Sequence, residues 1–145
     1  MGNQKYENII YTLFDEVFTK GNLKKCKEIF SERLQFHDVA MDKAFQGLAG
    51  YEEVEGLFQK AFPGKLARID QLFSADDKVV VRWRCTGTHK GEFNGISPTN
   101  KKVDITGISI YRFSKEQIVE VWQSWDRLGL YEQIGEIRGA HALHH

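Results

Sequence analysis

The sequence predicts a single α+β domain in which helices come first and a long-stranded antiparallel sheet follows. Up to about residue 62, apolar residues recur at steps of three and four, the spacing of helices with one buried face. From Leu66 onward, β-branched and aromatic residues dominate and short turns interrupt them. The 145 residues of the chain suit one domain with one core.

Three helices are expected before the sheet. The first extends from Gln4 to Lys20, and Gly21 ends it. Asn22 can cap a shorter second helix. After an extended stretch from Leu34 to Asp38, a third helix runs from Gly50 to Phe62. The apolar stripes are Tyr6, Ile9, Ile10, Leu13, Phe14, Val17 and Phe18 in the first helix, Leu23, Cys26, Ile29 and Phe30 in the second, and Val54, Leu57, Phe58, Ala61 and Phe62 in the third.

Four strands are predicted in the second half, and short connections make them a meander. The turns Ser74 to Asp77 and Ser114 to Glu116 suit hairpins, whereas Phe93 to Lys101 is a longer loop. Gly87 and Gly107 lie inside strand patterns and are interpreted as bulges or bends that curve the sheet into a cone around the helices. The strands are Leu66 to Phe73, Lys78 to Gly91, Lys102 to Ser114 and Gln117 to Asp126, and a short closing helix follows from Leu128 to Ile137.

Composition and charge exclude several classes of partner. Twenty Lys and Arg balance twenty Asp and Glu without a run of one sign, so we expect no nucleic-acid partner. No apolar run approaches the roughly 18 residues that span a bilayer, and the N-terminus has no secretion signal, so we expect a cytoplasmic protein without membrane contact. Cys26 and Cys85 lack the number and spacing of a metal site or a disulfide framework and are interpreted as small buried hydrophobes.

Several ordered segments carry a family resemblance. Residues Gly87 to Thr99 (GTHKGEFNGISPT) resemble the GTHxGxFxGxxPT signature of the SnoaL-like polyketide cyclases of the NTF2-like superfamily. Gly107 to Phe113 follows at the usual distance, and Ile118 to Gly135 is similar to the family's last strand and C-terminal helix. The resemblance implies an NTF2-like cone: three helices on a strongly curved antiparallel sheet around a deep apolar pocket, commonly in a homodimer and without a cofactor.

The resemblance and the strand patterns together set the expected domain and its assembly. One domain is expected over residues 1–138, followed by a tail over residues 139–145 that holds three of the five histidines and is given no function. A homodimer is also expected because the outer face of such a sheet, including some of Val79, Val81, Ile108 and Ile110, would otherwise meet water.

The resemblance also points to one catalytic residue. In the family's cyclases an aspartate near the end of the last strand is the acid and base of an aldol ring closure, and Asp126 matches that position. A carboxylate in an apolar pocket has its charged form disfavoured, which suits proton transfer. Strand alternation places Trp122 on the same side as Asp126. The alternative is that Asp126 caps the next turn by accepting N–H groups at Leu128 or Gly129.

Further residues are candidates for substrate binding. His37 and His89 match family positions and can hydrogen-bond a substrate carbonyl, although a local structural hydrogen bond is the commoner role of histidines in such positions. Ser109 and Tyr111 are candidates for orienting a carbonyl oxygen in place of the histidine that the cyclases carry beside the aspartate. The apolar walls are expected from Trp83 and Trp122.

Two functions remain open from the sequence. One is a cofactor-free cyclase or isomerase acting on an enolisable, apolar, polyketide-like molecule; the other is a non-catalytic module that binds an apolar metabolite. No metal is expected, because His37, Asp38, Asp42 and His89 have no ligand spacing. Arg82 or Arg84 points inward if the strand register allows it, and an ion pair with Asp70, Asp104 or Asp126 is the commoner role of such a residue.

Overall fold

A computed structural model describes residues 2–38 and 47–135. Asp42, the end of the predicted closing helix and the predicted tail 139–145 therefore lie outside the described residues. The elements are α1 (Gln4–Thr12), continued by a π-helical segment (Leu13–Thr19), a 3₁₀ turn (Leu23–Lys25), α2 (Cys26–Ile29), β1 (Phe30–Asp38), α3 (Gly47–Ala61), β2 (Leu66–Ala75), β3 (Lys78–Thr88), β4 (Lys102–Ser114), β5 (Gln117–Trp125) and α4 (Arg127–Gln133).

The five strands form one mixed sheet in the order β1-β5-β4-β3-β2. The predicted meander is confirmed, because β2, β3, β4 and β5 pair antiparallel in sequence order. The prediction of a purely antiparallel sheet is wrong. The stretch expected as a short extended segment is a full strand, β1, which pairs parallel to β5. Its residues Phe36, His37 and Asp38 lie opposite Val121, Trp122 and Gln123.

One face of the sheet, called the inner face here, packs against the helices. On β4 the inner residues are buried and alternate with exposed ones, as expected for a half-buried strand. Ile10, Leu13 and Val17 from the N-terminal helix are fully buried in the same core as Val79, Val81 and Val121 from the sheet. The expected dimer face, which includes Ile108 at 50% exposure, is the opposite, outer face.

The predicted helices are present with shifted bounds. The second is a single turn of α-helix after a 3₁₀ turn, and Asn22 makes no side-chain capping bond, so that predicted cap is wrong. The third helix begins at Gly47 rather than Gly50. In the described part of the chain no helix combines the length and the apolar character that crossing a membrane requires.

Gly107 serves close packing rather than a bulge. Pairing between β3 and β4 runs without a register shift through Trp83↔Gly107 and Gly87↔Val103, so a bulge at Gly87 or Gly107 is wrong, and the alternative of a bend stays a prediction. A Cβ on Gly107 would lie 2.3 Å from the Trp83 indole, a distance that no real contact reaches. The missing side chain therefore makes room for the Trp83 ring across the inner face.

Candidate active site on the inner face of the sheet

A cavity lies between the inner face of the sheet and the helices. Its volume is about 100 Å³, well above the roughly 10–15 Å³ that one buried water needs. Most of its walls are aromatic and aliphatic, the usual lining of a small-molecule site. The lining residues are Phe14, Phe18, Phe36, Asp38, Tyr51, Val54, Glu55, Phe58, Lys65, Ala67, Trp83, Cys85, Ile105, Tyr111, Gln123 and Trp125.

Asp38 places a carboxylate on this mainly apolar wall. It is the last residue of β1, and the parallel pairing with β5 sets it opposite Gln123. Its Oδ2 accepts hydrogen bonds from the Gln123 amide at 3.2 Å and from the Trp125 indole N–H at 2.8 Å. Both donors are neutral, so the carboxylate is oriented by these bonds without being neutralised by them.

A chain of hydrogen bonds holds the Gln123 amide in place. The buried Trp83 indole N–H donates to the Ser109 hydroxyl at 3.0 Å, and Ser109 donates to the Gln123 Oε1 at 3.1 Å. Accepting from Ser109 turns the NH₂ end of Gln123 towards Asp38. These hydrogen bonds link Trp83, Ser109, Gln123 and Asp38 in a line across four neighbouring strands, β3, β4, β5 and β1.

Two tyrosines, Tyr111 and Tyr51, also line the cavity. Burial raises the pKa of both phenols. Each phenol is therefore neutral at physiological pH and keeps its proton to donate.

A second polar group on the cavity wall is the ion pair between Lys65 and Glu55. Their charged atoms lie 2.8 Å apart, and the side chains are only 8% and 12% exposed. Gln59, one turn along α3, donates to Glu55 at 3.0 Å, and Lys65 donates to the Phe18 carbonyl at 2.7 Å. Burial raises the pKa of Glu55, although the charge and hydrogen bond of Lys65 oppose that rise.

Comparison with known proteins identifies the family. The model of a family described as SnoaL-like polyketide cyclase matches residues 8–134 of this chain. The chain belongs to the SnoaL-like polyketide cyclase family. Among curated proteins, none matches the chain.

Solved structures share the SnoaL-like architecture. A candidate SnoaL-like polyketide cyclase from Jannaschia sp. CCS1 superposes with a TM-score of 0.84 at 20% identity, covering 92% of this chain and 94% of that chain. A candidate polyketide cyclase from Acidithiobacillus ferrooxidans reaches 0.79 at 30% identity, with 90% and 94% covered. IdmH, a candidate polyketide cyclase from Streptomyces antibioticus, reaches 0.77 at 27% identity, with 90% and 98% covered. The predicted α+β cone is thereby confirmed.

Asp126 lies outside the cavity wall of this SnoaL-like protein. It follows β5 directly and caps the N-terminus of α4, where its Oδ1 accepts a hydrogen bond from the Gly129 N–H at 2.8 Å. The residue is exposed to solvent and is not among the residues that line the cavity. The expected cap on Gly129 is present, while a catalytic role for Asp126 stays a prediction.

The two faces of β5 explain why Trp122 is also outside the cavity. Alternation separates Val121, Gln123 and Trp125 from Trp122 and Ser124, and the first set lies on the inner face, where Gln123 and Trp125 line the cavity. The buried Val121, at 0% exposure, anchors that set in the core. Trp122 is therefore not part of the cavity wall, and its predicted contact with a substrate stays a prediction.

The two candidate histidines make local contacts instead of lining the cavity. On the outer face, His37 stacks on Trp122 with ring centroids 5.6 Å apart, and its Nε2 lies 2.8 Å from Glu120. His89 is fully buried against Phe62, and its Nδ1 lies 3.0 Å from the Thr99 hydroxyl. Both match the local structural interpretation, and their predicted substrate contacts stay predictions.

The two arginines of β3 point to the outer face. Arg82 donates to Gln71 at 2.8 Å, and Arg84 pairs with Asp104 at 3.2 Å, while Trp83 between them faces the cavity. The ion pair of Arg84 is the role that the sequence favoured. Neither arginine is available to a ligand inside the cavity.

Three candidates from the sequence belong to the site, and four of its charged or amide-bearing residues were not singled out. Trp83 and Tyr111 line the cavity, and Ser109 holds its hydrogen-bond chain. The unforeseen residues are Asp38, Gln123, Glu55 and Lys65. Gln123 carried a signal, because a polar residue between Val121 and Trp125 on an otherwise apolar strand face needs a buried partner.

Proposed function

We propose that this SnoaL-like protein is a cofactor-free cyclase or isomerase that acts on an enolisable, apolar, polyketide-like molecule, with Asp38 as the acid and base. The observation that carries the proposal is the Asp38 carboxylate on the wall of a mainly apolar cavity, oriented by Gln123 and Trp125. Enclosure among aromatic side chains suits a substrate of several apolar carbons. The family membership supports the same class of reaction.

The proposed reaction needs only proton transfers from the protein. Asp38 removes a proton from the carbon next to a substrate carbonyl, and the electron pair of that C–H bond forms an enolate. The enolate carbon then attacks a second carbonyl of the same molecule, which forms the ring bond and an alkoxide. The protonated Asp38 returns its proton to that alkoxide, so the carboxylate is regenerated.

The surrounding groups suit the two states of Asp38. The N–H donors of Gln123 and Trp125 orient the carboxylate, and the Ser109 bond keeps the Gln123 amide from turning over. Tyr111, whose burial keeps it protonated, is a neutral donor for the carbonyl that becomes the enolate. Preorganised donors of this kind stabilise charge as it develops, without reorganisation during the reaction.

Asp38 fits the role better than Asp126 for a geometric reason. A general base has to come within hydrogen-bond distance of the proton it removes. Asp38 borders the cavity, whereas the Asp126 carboxylate is exposed and engaged by the Gly129 N–H. The two residues therefore give opposite expectations in the same assay.

The test compares Asp38→Asn with Asp126→Asn on a substrate found by a thermal-shift screen of linear polyketide-like 1,3-diketones. We expect Asp38→Asn to lower kcat by about 10²–10⁴-fold with little change in KM, because only proton transfer is lost. Asp126→Asn should keep kcat near the wild-type value. Ring formation is followed by chromatography and mass spectrometry.

Each other outcome rejects part of the proposal. A loss of turnover in Asp126→Asn alone would return the catalytic role to Asp126. If compounds from the screen bind and none is converted, the protein is a binding module for an apolar metabolite rather than an enzyme.

A further inference from the structure

The Lys65–Glu55 pair is a charged group on the cavity wall that the proposed proton transfer does not use. Both residues line the cavity, and the Lys65 side chain is more than nine-tenths buried. Taking two charges out of water is costly, and a buried ion pair often stabilises a protein no better than apolar residues of similar size would. Its position in the cavity therefore suggests a role in ligand binding.

The Lys65 ammonium can take one more acceptor. It has three protons, and among the described residues two acceptors engage it: the Glu55 carboxylate at 2.8 Å and the Phe18 carbonyl at 2.7 Å. Lys65 lines the cavity, and its ammonium group lies 5.6 Å from the centre of the ring of Phe18, another lining residue. A ligand oxygen in the cavity can therefore hydrogen-bond to Lys65 while both existing bonds remain.

We propose that Lys65 and Glu55 bind an acidic hydroxyl group of the ligand, the enol of a 1,3-dicarbonyl compound or a phenol, as its anion. This rests on the proposed function, because it names the class of substrate for the same cavity. The O–H bond of the ligand breaks, its electron pair stays on the ligand oxygen beside Lys65, and the proton moves to a carboxylate oxygen of Glu55. The group holds one positive and one negative charge before and after the transfer.

Because the net charge in the cavity does not change, the proton transfer is feasible in these apolar surroundings. An anion entering alone would add an unpaired charge to a poorly solvated site. Here Glu55 becomes neutral as the ligand becomes charged, so Lys65 always faces one anion. The raised pKa of Glu55 favours its taking up the proton. Phe14, Phe18 and Phe58 supply flat walls for a conjugated enol or an aromatic ring.

The probes are 4-nitrophenol, whose phenolate absorbs visible light, and 4-nitroanisole, which has the same ring and no acidic proton. Titration calorimetry measures both affinities for the wild-type protein, and absorbance reports the ionised phenol. We expect the phenolate to bind about tenfold more tightly than the anisole, the size of one charge-assisted hydrogen bond. The double variant Lys65→Met/Glu55→Gln should bind both probes alike.

A single variant, Glu55→Gln, separates proton acceptance from simple attraction. At a pH where free 4-nitrophenol is protonated, the wild type should develop the phenolate band without releasing a proton to the buffer. Glu55→Gln should release about one proton for each phenolate bound, measured by calorimetry in buffers of different ionisation enthalpy. Its phenolate affinity should rise, because Lys65 no longer shares its charge with Glu55.

A purely structural role for the pair gives different results. In that case both variants weaken both probes equally or change neither, and the proposal is wrong. It is also wrong if the wild type binds neither probe or does not prefer the phenolate. Circular dichroism checks that the double variant, chosen because it leaves no unpaired buried charge, is folded. Unchanged turnover in Asp38→Asn beside an intact phenolate preference would reject the proposed function alone.

Discussion

Two ion pairs of this protein have almost the same length and opposite surroundings. Lys65 and Glu55 lie 2.8 Å apart in the cavity wall, and Arg112 and Glu120 lie 2.9 Å apart on the outer face of the sheet. The cation is 8% exposed in the first pair and 33% exposed in the second, whereas the two carboxylates are similarly buried, at 12% and 14% exposure. Glu120 has His37 as a further partner. Distance alone therefore does not rank these pairs, because the Arg112 cation has access to water that the Lys65 cation lacks, and Glu120 has a histidine as its second partner where Glu55 has the neutral Gln59 amide.

The largest expected effect is on the free energy of unfolding when the cation of each pair is removed. Lys65→Met leaves the Glu55 carboxylate buried without its partner, and we expect the free energy of unfolding to fall by about 3–5 kcal/mol. Arg112→Met leaves Glu120 with His37 and solvent, and the loss should be about 1 kcal/mol or less. Urea unfolding followed by tryptophan fluorescence measures both.

Adding Glu55→Gln to Lys65→Met provides the control, because it removes the stranded charge and should recover most of the lost stability. Equal losses for the two single variants would contradict the ranking by burial. The expected homodimer bears on the same result: if a second copy covers the outer face, the loss in Arg112→Met should exceed that limit and depend on protein concentration.

A second comparison sets an inner against an outer position of β4. Gly107→Ala puts a Cβ against the Trp83 ring, and that ring cannot move freely because its indole N–H is bound to Ser109. We expect a loss of about 1–3 kcal/mol in the free energy of unfolding from overpacking. The neighbouring outer-face variant Thr106→Ala should change it by about 0.5 kcal/mol or less.

Near-ultraviolet circular dichroism gives a direct view of the Trp83 environment in Gly107→Ala. We expect its aromatic signal to change, whereas Thr106→Ala should keep the wild-type spectrum. A stable Gly107→Ala variant with an unchanged aromatic spectrum would mean that close packing on Trp83 does not explain the glycine.

Local patterns predicted the fold but left the inner face of the sheet undecided. The meander follows from strand composition and short turns, both of which are local in sequence. On β5 the alternation separated Gln123 from Trp122 correctly, yet it could not say which set faces the cavity. That choice depends on the core packing of Val121, a contact with distant parts of the chain.

The candidate site was harder to predict because its polar groups come from distant segments. Asp38 meets Gln123 only because β1 pairs parallel to β5, across 85 residues. Parallel pairing leaves no turn signal in the sequence. Lys65 follows a Pro-Gly turn and resembles an ordinary surface lysine until α3 brings Glu55 beside it. The cap that Asp126 makes on α4 was easy to predict for the opposite reason, because a helix start beside a strand end is local in sequence.

The smallest expected effect is the pH dependence of the outer-face pair. Burial alone would raise the pKa of Glu120, but hydrogen bonds from His37 and Arg112 outweigh it and hold the pKa below its usual 4.5. A carboxyl group with a lowered pKa in the folded state contributes stability above its unfolded pKa and loses that contribution as the pH falls through the lowered value. Glu120→Gln should therefore lose its stability difference from the wild type in acid. Urea midpoints from neutral pH down to about pH 3 measure this difference in stability. If the difference stays constant over that range, the ionised form of Glu120 does not stabilise the fold. The contrast with the buried Lys65–Glu55 pair would then rest on packing alone.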